Sequence, residues 1–228
     1  MSPQIKPLKI WGQDGPNPKK VAIILEELGL PYEVIPIQFS DVKKPEYLAI
    51  NPNGRIPAIH DPNTGVTLWE SGAIIEYLIE LYDTKHRLSF APGTPESYYA
   101  KQWLYFQATG QGPYYGQAIW FKKHHSEQVP SAIERYTKEV NRVSGVLDEY
   151  LAQQKQEHGG SAGSDGPWLV GNKLSYADIA FIPWQRVGIM LEKDEYNEDN
   201  FPHVKEWLGK MTSREKVKTV LESAQHSK

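Results

Sequence analysis

Two adjacent polar residues, Glu70 and Ser71, lie where a short apolar run ends and a helical pattern begins, in the stretch WESGAIIEYL. A carboxylate at this point can hold a ligand cation. A serine hydroxyl, together with the free N–H groups of a first helical turn, can hold an anion. The pair is also compatible with an ordinary N-cap serine beside a surface acid, and alone it favours that interpretation.

A proline interrupts the apolar run NGRIPAIHD, residues 53–61, which otherwise has the pattern of a strand. Proline cannot donate to a sheet ladder, so it is found on edge strands, at strand starts and at bulges. Pro57 therefore indicates either the start of an edge strand or a point where the backbone leaves the ladder to meet a ligand. The pattern alone leaves both alternatives open.

The overall charge excludes several classes of partner. The 228 residues carry a net charge of −3, which gives no reason to expect a nucleic acid or an anionic membrane as partner. The lysine pairs at 19–20, 43–44 and 122–123 are too short to be basic patches, and we expect them on solvated faces. No apolar run reaches membrane-spanning length and the first residues do not resemble a targeting segment, so the expected location is the cytoplasm.

The chain contains no cysteine, which excludes disulfides, cysteine nucleophiles and thiolate metal sites. Any sulfur chemistry must therefore use the sulfur of a ligand. A metal site is not expected either, because His124 and His125 are adjacent and adjacent residues do not share a helix face.

The elements that must position these residues alternate between strand and helix over residues 5–82. The order is strand, helix, strand, an uncertain connection, a hairpin and a helix that starts at Ser71, which indicates a small α/β domain with a mixed sheet. In the first helix, Asn17 is predicted as N-cap, Pro18 as the first helical residue and Gly29 as the residue just past the end. Pro36, in the second strand, suggests that this strand is at an edge.

The second half of the chain shows only helical patterns. Residues 83–98 are predicted as a linker, and the helix that follows should be interrupted between Gly110 and Pro113. The stretch at 157–167 predicts a flexible surface loop, and one final helix is predicted over about 202–223. Ser175 and Asp178 have the spacing of a capping box, so the loss of Asp178 should cost stability, on the order of 1 kcal/mol, rather than activity.

Taken together, NPNGRIPAIHD, WESGAIIEYL and VGNKLSYADIAF resemble the cytosolic glutathione transferases, and the resemblance covers nearly the whole chain. It implies a thioredoxin-like glutathione-binding domain over residues 1–86 and an all-helical domain over 95–228 that contributes the electrophile pocket. PNPKKVAIILEELGLPYE and GQAIWF are most similar to the fungal branch that includes the yeast nitrogen-catabolite regulator. The sequence shows no asparagine-rich extension, so prion behaviour is not expected.

The resemblance implies a role for each motif residue. Pro57 would follow a cis peptide bond, and Ile56 would offer its backbone to the cysteinyl part of glutathione. Glu70 would take the ammonium of the γ-glutamyl group and Ser71 its carboxylate. The glycine carboxylate needs a cation, for which the candidates are Lys43, Lys44 and Arg55, with Lys44 slightly preferred.

The position that activates the thiol in this fungal branch is an asparagine, matched by Asn17, whose amide can donate to a thiolate. Asn17 could instead only cap its helix, and the two roles compete for one side chain. Tyr114 and Tyr115 follow the Gly-Pro interruption and are predicted to line the electrophile pocket.

The implied activity is conjugation of glutathione, as co-substrate and without a metal, to small hydrophobic electrophiles in detoxification. Glutathione-dependent reduction of hydroperoxides is a further expectation. The alternative is a regulatory or ligand-carrying module that binds glutathione with little turnover, since an asparagine activates a thiol weakly. The resemblance also implies a homodimer.

Overall fold

The computed structural model describes residues 4–12, 14–158 and 166–223. The chain groups into two compact units. One contains the chain up to Lys85 and the chain from Arg214 onward, and the other is His86–Ser213. The elements of the first unit are β1 (Leu8–Trp11), α1 (Pro16–Leu28), β2 (Tyr32–Ile35), α2 (Pro45–Leu48), β3 (Ala58–Asp61), β4 (Val66–Trp69), α3 (Ser71–Tyr82) and α9 (Glu215–Ser223).

The four strands form one mixed sheet in the order β2-β1-β3-β4. β1 and β2 are parallel and are joined through α1, whereas β3 pairs antiparallel with β1 and with β4. This confirms the predicted hairpin and the edge position of β2, which ends immediately before Pro36. The predicted fold class, a thioredoxin-like mixed sheet followed by a helical domain, is confirmed.

The two faces of the sheet are covered differently. α1 and α3 pack together, and the side chains buried on them and on the strands make one core layer: Leu8, Ile10, Val21, Ile24, Leu25, Ile59, Ile74, Ile75 and Leu78. Because side chains alternate along a strand, Trp11 and Ala58 belong to the opposite face. There they pack with Tyr47 of α2 and with Val42. This second layer supports the segment that leads to Ile56.

The two ends of α1 agree only partly with the sequence prediction. Gly29 has a left-handed conformation at the C-terminus, with φ 72°, as predicted. The predicted N-terminus is wrong, because the helix begins at Pro16 after an N-cap at Gly15, and Asn17 lies inside the first turn. Proline has the φ of a helix and no N–H to leave unsatisfied, so the earlier of the two prolines can start the helix.

The helical unit consists of α4 (Pro95–Phe106), a π-helical turn (Gln107–Gln111), α5 (Gly112–Lys123), α6 (Pro130–His158), α7 (Tyr176–Gly188), a 3₁₀ turn (Glu198–Asn200) and α8 (Pro202–Thr212). The predicted interruption at Gly110–Pro113 is wrong, since the chain stays helical from 95 to 123. The π-helical turn accommodates the sequence there. It is held by buried glutamines, with Gln107 Nε2 donating to Gln111 Oε1 at 3.1 Å.

The capping box at the start of α7 is confirmed. Asp178 Oδ2 accepts from the backbone N–H of Ser175 at 2.9 Å and from its hydroxyl at 2.8 Å. Asp178 Oδ1 accepts from the N–H of Leu169 at 2.9 Å and from Trp207 Nε1 at 3.0 Å. One buried carboxylate therefore joins α7, α8 and the chain that precedes α7, which is more than a helix cap does.

The segment predicted as one helix over 202–223 is two helices, α8 and α9. Near their junction the hydroxyls of Thr212 and Ser213 donate to the carbonyls of Leu208 and Lys210 at 2.8 Å each. Such side-chain bonds compete with the backbone ladder of a helix. α9 packs on α1, and Arg214 Nε lies 2.7 Å from Glu27 Oε1.

Residues 159–165 of the predicted surface loop lie outside the described residues. Among the helices that are described, none has the length and apolar character needed to cross a membrane.

Candidate functional site

At the start of α3, polar groups have no hydrogen-bond partner among the residues that the structure describes. Glu70 is the N-cap, but its side chain does not cap the helix, and its φ of 69° is in the left-handed region. Ser71 is only 7% exposed, yet its hydroxyl makes no hydrogen bond with any residue that the structure describes. An α-helix has no internal acceptors for its first N–H groups. A carboxylate, a hydroxyl and a helix N-terminus thus meet in a backbone conformation that is rare for glutamate.

The backbone at Ile56 lies beside the sheet ladder and outside it. The peptide bond between Ile56 and Pro57 is cis, as the resemblance implied. Pairing between β1 and β3 ends at Trp11 and Ala58, so the N–H and C=O of Ile56 are not used by the sheet. Within the described chain, no hydrogen bond engages them. An extended peptide ligand could pair there as a short additional strand.

Residues that the sequence analysis did not single out hold this backbone in place. The carbonyl of Arg55 accepts from the Tyr47 hydroxyl at 2.8 Å and from Asn51 Nδ2 at 2.6 Å. Asn51 also accepts from the N–H of Asn53 at 3.0 Å, which closes an Asx turn before the positive-φ Gly54. The stretch NPNG carried this signal, because asparagine and glycine at this spacing favour such a turn.

Gly12 was also missed, although a glycine directly after a first strand is a visible signal. A Cβ atom at Gly12 would lie 2.7 Å from the Cβ of Ile56, and the φ of Gly12 is +90°. Any side chain here would both strain the backbone and push Ile56 away. The end of β1 therefore fits closely against the residue that is predicted to pair with the ligand.

The three basic candidates differ in what they already bind. Lys44 Nζ lies 2.7 Å from Asp41 Oδ1, with its side chain 61% exposed, and Lys43 donates to the carbonyl of Asn53 at 2.8 Å. Arg55 makes no ion pair with any residue in the described ranges. Lys44 also lines an open cavity of about 430 Å³ whose other walls include Trp11, Ile37, Tyr47 and Ile50. Arg55 and Lys44 therefore remain the two candidates for a carboxylate.

Asn17 lies at the second position of α1 and is half-buried. It does not occupy the N-cap position, which belongs to Gly15. The competing role as helix cap, weighed in the sequence analysis, is therefore not the role it has in this structure. Asn17 thus belongs to the first turn of α1, where the helix dipole favours negative charge.

Lys20 contradicts its predicted position on a solvated face. It is 1% exposed and is among the largest fully buried side chains of the described chain. Burial lowers the pKa of Lys20 to about 7, while the negative charge of Glu70 acts in the opposite direction. Lys20 follows Asn17 by three residues, so both lie on one side of α1. The spacing of the two residues could be read from the sequence, but the burial of Lys20 could not.

The two tyrosines predicted for the electrophile pocket have different surroundings. Tyr114 is half-buried, with its ring centroid 6.3 Å from that of Tyr136. Tyr115 is 1% exposed, and its hydroxyl lies 2.9 Å from Ser144 Oγ and 3.2 Å from Gln185 Oε1. Burial raises the pKa of Tyr115. These are the surroundings of a core residue, because no irregular wall follows the Gly-Pro pair, and they give no support to Tyr115 as a pocket residue.

Among the described residues, no group of three or more His, Asp or Glu is placed to hold a metal ion. The polar groups at the start of α3 and at Ile56 instead suit an organic ligand with peptide groups and charged ends. The arrangement can bind such a ligand beside the segment that leads into β3 and place a thiol near the start of α1.

Comparison with known proteins identifies related chains. Residues 13–86 match the family described as Glutathione S-transferase, N-terminal domain, and residues 113–215 match Glutathione S-transferase, C-terminal domain. The chain is 64% identical over 220 residues to Glutathione S-transferase-like protein gedE of Aspergillus terreus, with 96% of each chain covered.

Two solved structures are similar over the whole fold. Glutathione transferase URE2P6 from Phanerochaete chrysosporium, in complex with oxidized glutathione, is 46% identical, with 96% of each chain covered and a TM-score of 0.85. The yeast protein Ure2p in complex with S-p-nitrobenzylglutathione is 35% identical, with 97% of this chain and 96% of that chain covered and a TM-score of 0.85.

Proposed function

We propose that this chain, which belongs to the glutathione S-transferase family in its fungal Ure2-like branch, binds glutathione and conjugates it to small hydrophobic electrophiles. The observation that carries the proposal is the start of α3. There the Ser71 hydroxyl has no hydrogen bond within the described chain, beside the carboxylate of Glu70 and an uncapped helix N-terminus. A γ-glutamyl group needs an anion and an anion-binder side by side, and these groups supply both.

The rest of glutathione would extend from that end toward α2. The cysteinyl backbone would pair with the N–H and C=O of Ile56, which the sheet does not use. The glycine carboxylate would bind Arg55 or Lys44. Arg55 has no ion pair within the described chain, so it is available to a carboxylate. Lys44 would have to exchange its ion pair with Asp41 for one with the ligand. The domain over residues 1–86 would thus supply all of the glutathione contacts.

The chemistry depends on the thiolate, which is the nucleophile. Lowering the thiol pKa by two units requires about 2.7 kcal/mol of preferential stabilisation of the anion. The amide of Asn17 would donate to the sulfur, and the first-turn N–H groups of α1 would add their field. A new bond then forms between sulfur and the electrophilic carbon, a leaving group departs in a substitution, and the thiol proton passes to solvent.

The same thiolate would reduce organic hydroperoxides. Attack on the peroxide oxygen gives the alcohol and the sulfenic acid of glutathione, which a second glutathione converts to oxidised glutathione and water. The complexes of URE2P6 with oxidized glutathione and of Ure2p with an S-nitrobenzyl conjugate support a site that takes both kinds of product. We expect Tyr114 of the helical domain, residues 95–228, to contact the electrophile. A homodimer and a cytoplasmic role in detoxification complete the proposal.

Titration calorimetry with reduced glutathione, followed by turnover with a chloronitrobenzene, an isothiocyanate and cumene hydroperoxide, tests the proposal. Binding with turnover on any of them supports it. Binding without turnover on all three overturns the enzymatic role and favours a glutathione-binding regulatory module. Absence of binding overturns both.

The Asn17→Ala variant tests the source of thiol activation in the same assays. The pKa of bound glutathione, followed by the ultraviolet absorbance of the thiolate, should rise by about one unit, which corresponds to about 1.4 kcal/mol. Asn200→Ala, an exposed asparagine in a 3₁₀ turn, is the matched control. An unchanged thiol pKa in Asn17→Ala would show that the amide does not act on the sulfur.

A further inference from the structure

The carbonyl of Arg55 is held from inside the fold by two buried donors. The Tyr47 hydroxyl donates to it at 2.8 Å and Asn51 Nδ2 at 2.6 Å, and these two residues are 3% and 2% exposed. A carbonyl oxygen has two lone pairs, so the two bonds satisfy it completely. The peptide group that joins Arg55 to Ile56 is therefore oriented by α2 and the turn after it, and not by the sheet ladder.

The orientation of this peptide group determines where the N–H of Ile56 points. The bond between Arg55 and Ile56 is trans, and in a planar trans peptide the C=O and the N–H point in opposite directions. Because the oxygen of Arg55 faces Tyr47 and Asn51, the N–H of Ile56 faces away from them. Among the described residues that N–H has no hydrogen-bond partner, so it can donate to a ligand.

The chain on both sides of this peptide group is also restricted. Ile56 fits closely against the end of β1, where a Cβ atom at Gly12 would lie 2.7 Å from the Cβ of Ile56. On the other side, the N–H of Gly54 donates to the carbonyl of Asn51 at 2.8 Å, which closes the turn before Arg55. The N–H of Ile56 thus has a defined direction before any ligand binds.

We propose that Tyr47 and Asn51 are positioning residues of the site for the cysteinyl part of glutathione. By holding the carbonyl of Arg55 inward, they aim the N–H of Ile56 at the cysteinyl carbonyl of the ligand. The inference rests on the proposed function, because it concerns the pairing of Ile56 with the same ligand. A donor that is oriented in advance loses less freedom on binding than one that must be turned toward the ligand, so the two side chains would raise affinity without touching glutathione.

Calorimetry with reduced glutathione tests the inference on two variants that each remove one of the two donors. Tyr47→Phe keeps the buried ring, and the affinity should fall about threefold, because Asn51 still binds the carbonyl. Asn51→Asp keeps the oxygen that accepts from the N–H of Asn53 but turns an acceptor toward the peptide carbonyl, so the affinity should fall about tenfold. Tyr32→Phe removes a hydroxyl that donates to Glu26 at 2.9 Å; it is the matched control and should bind as the unmodified protein does.

Hydrogen exchange of the Ile56 amide separates a positioning role from a structural one. Arg55 is also a candidate for the glycine carboxylate, so a loss of affinity alone could come from a displaced Arg55 side chain. The exchange of the Ile56 N–H is therefore followed by NMR in each protein, without ligand and at saturating glutathione. Saturation should slow the exchange about tenfold or more in the unmodified protein, by less in Tyr47→Phe and least in Asn51→Asp.

Two results would overturn the inference while leaving the proposed function intact. One is an equal slowing of exchange at Ile56 in the variants and in the unmodified protein, and the other is an affinity in both variants equal to that of Tyr32→Phe. Should Asn51→Asp not fold, Tyr47→Phe decides alone by the same two measurements. A failure of the unmodified protein to bind glutathione would instead overturn the proposed function and, with it, this inference.

Discussion

Two helices of this protein have a serine at their start, and the two serine hydroxyls are used in opposite ways: Ser175 is the N-cap of α7, and Ser71 is the first residue of α3. At the start of α7, Ser175 is fully buried, and its N–H and hydroxyl both donate to Asp178. At the start of α3, the hydroxyl of Ser71 has no acceptor in the described part of the chain, and the N-cap Glu70 does not turn back to cap the helix. The polar groups at the start of α7 are thus satisfied within the protein, whereas the hydroxyl at the start of α3 has no acceptor among residues 4–12, 14–158 and 166–223.

Whether the hydroxyl has an acceptor within the fold distinguishes a structural serine from a binding one. A buried donor without an acceptor costs about 1–3 kcal/mol, so a fold keeps such groups only where solvent or a ligand can reach them. The α7 start stabilises the helical unit, whereas the α3 start keeps its donors for a ligand. Mutations in the two places should therefore affect different measurements.

The largest expected effect is on the stability of the helical unit. Asp178→Ala removes the acceptor of the N–H groups of Leu169 and Ser175 and of the Trp207 indole, all of them buried. At about 1–3 kcal/mol for each of the three donors, the free energy of unfolding should fall by about 3 kcal/mol or more in urea titrations. That exceeds the value of about 1 kcal/mol expected for a helix cap alone.

Asp199→Ala, an exposed acid paired with Lys205, is the control for Asp178→Ala and should change stability by less than about 0.5 kcal/mol. A loss of only about 1 kcal/mol in Asp178→Ala would mean that Leu169 and Trp207 find other acceptors. The contrast with α3 would then be weaker than the geometry indicates.

The second prediction compares alanine substitutions of the two serines, Ser71 and Ser175. Ser71→Ala should weaken glutathione binding about tenfold or more, because a hydrogen bond to a charged group is worth about 1.5–3 kcal/mol, and should leave the melting temperature nearly unchanged. Ser175→Ala should do the reverse, with about 1 kcal/mol of stability lost and the affinity retained. Calorimetry and thermal unfolding on both variants check the pair. Equal affinities in the two variants would remove the distinction between the helix starts.

The smallest effect concerns a buried acid in the sheet unit. Burial raises the pKa of Asp61, but hydrogen bonds from Tyr82, Tyr77 and Asn63 outweigh it, so the pKa lies below its ordinary value. A folded-state pKa below the unfolded one gives stability that is present above the unfolded pKa of about 3.9 and is lost as the pH falls through the folded pKa. The free energy of unfolding should therefore decrease on acidification below about pH 4.

Asp61→Asn should make this acid dependence shallower, whereas Asp194→Asn, at an exposed position, should retain it. Urea titrations between about pH 3 and pH 7 give the slopes. Glutathione affinity at neutral pH should be the same in both variants, because Asp61 is satisfied internally like Asp178. A loss of glutathione affinity in Asp61→Asn would show that Asp61 contributes to binding as well as to stability.

Much of the fold could be predicted from local pattern. Alternation and turn residues indicated the strands, the β3–β4 hairpin and the edge position of β2. The spacing of Ser175 and Asp178 indicated their capping box. The errors lie where local signals compete: two prolines could each start α1, and the Gly-Pro pair at 112–113 was compatible with a break or with the π-helical turn that the chain adopts. Propensity cannot rank such alternatives, because packing of the surrounding helices decides between them.

In the candidate site, too, the sequence indicated some residues, whereas only the folded chain revealed others. Pro57 stands out in the sequence because proline is unusual within a strand pattern. Glu70 and Ser71 stand out only through the motif WESGAIIEYL that carries the family resemblance. Tyr47 and Asn51 do not, since their role is to hold the carbonyl of Arg55, and only the folded chain brings them to it.

The residue order was therefore sufficient for the fold class, the family and the motif that starts α3, because these depend on local periodicity and on neighbours in the chain. The burial of Lys20 and the difference between Ser71 and Ser175 depended on tertiary packing. The sequence of a lysine pair is the same whether its side chains are solvated or one of them is buried. Whether a charge is desolvated, and whether a hydroxyl finds an acceptor, is decided by which distant segments pack around it.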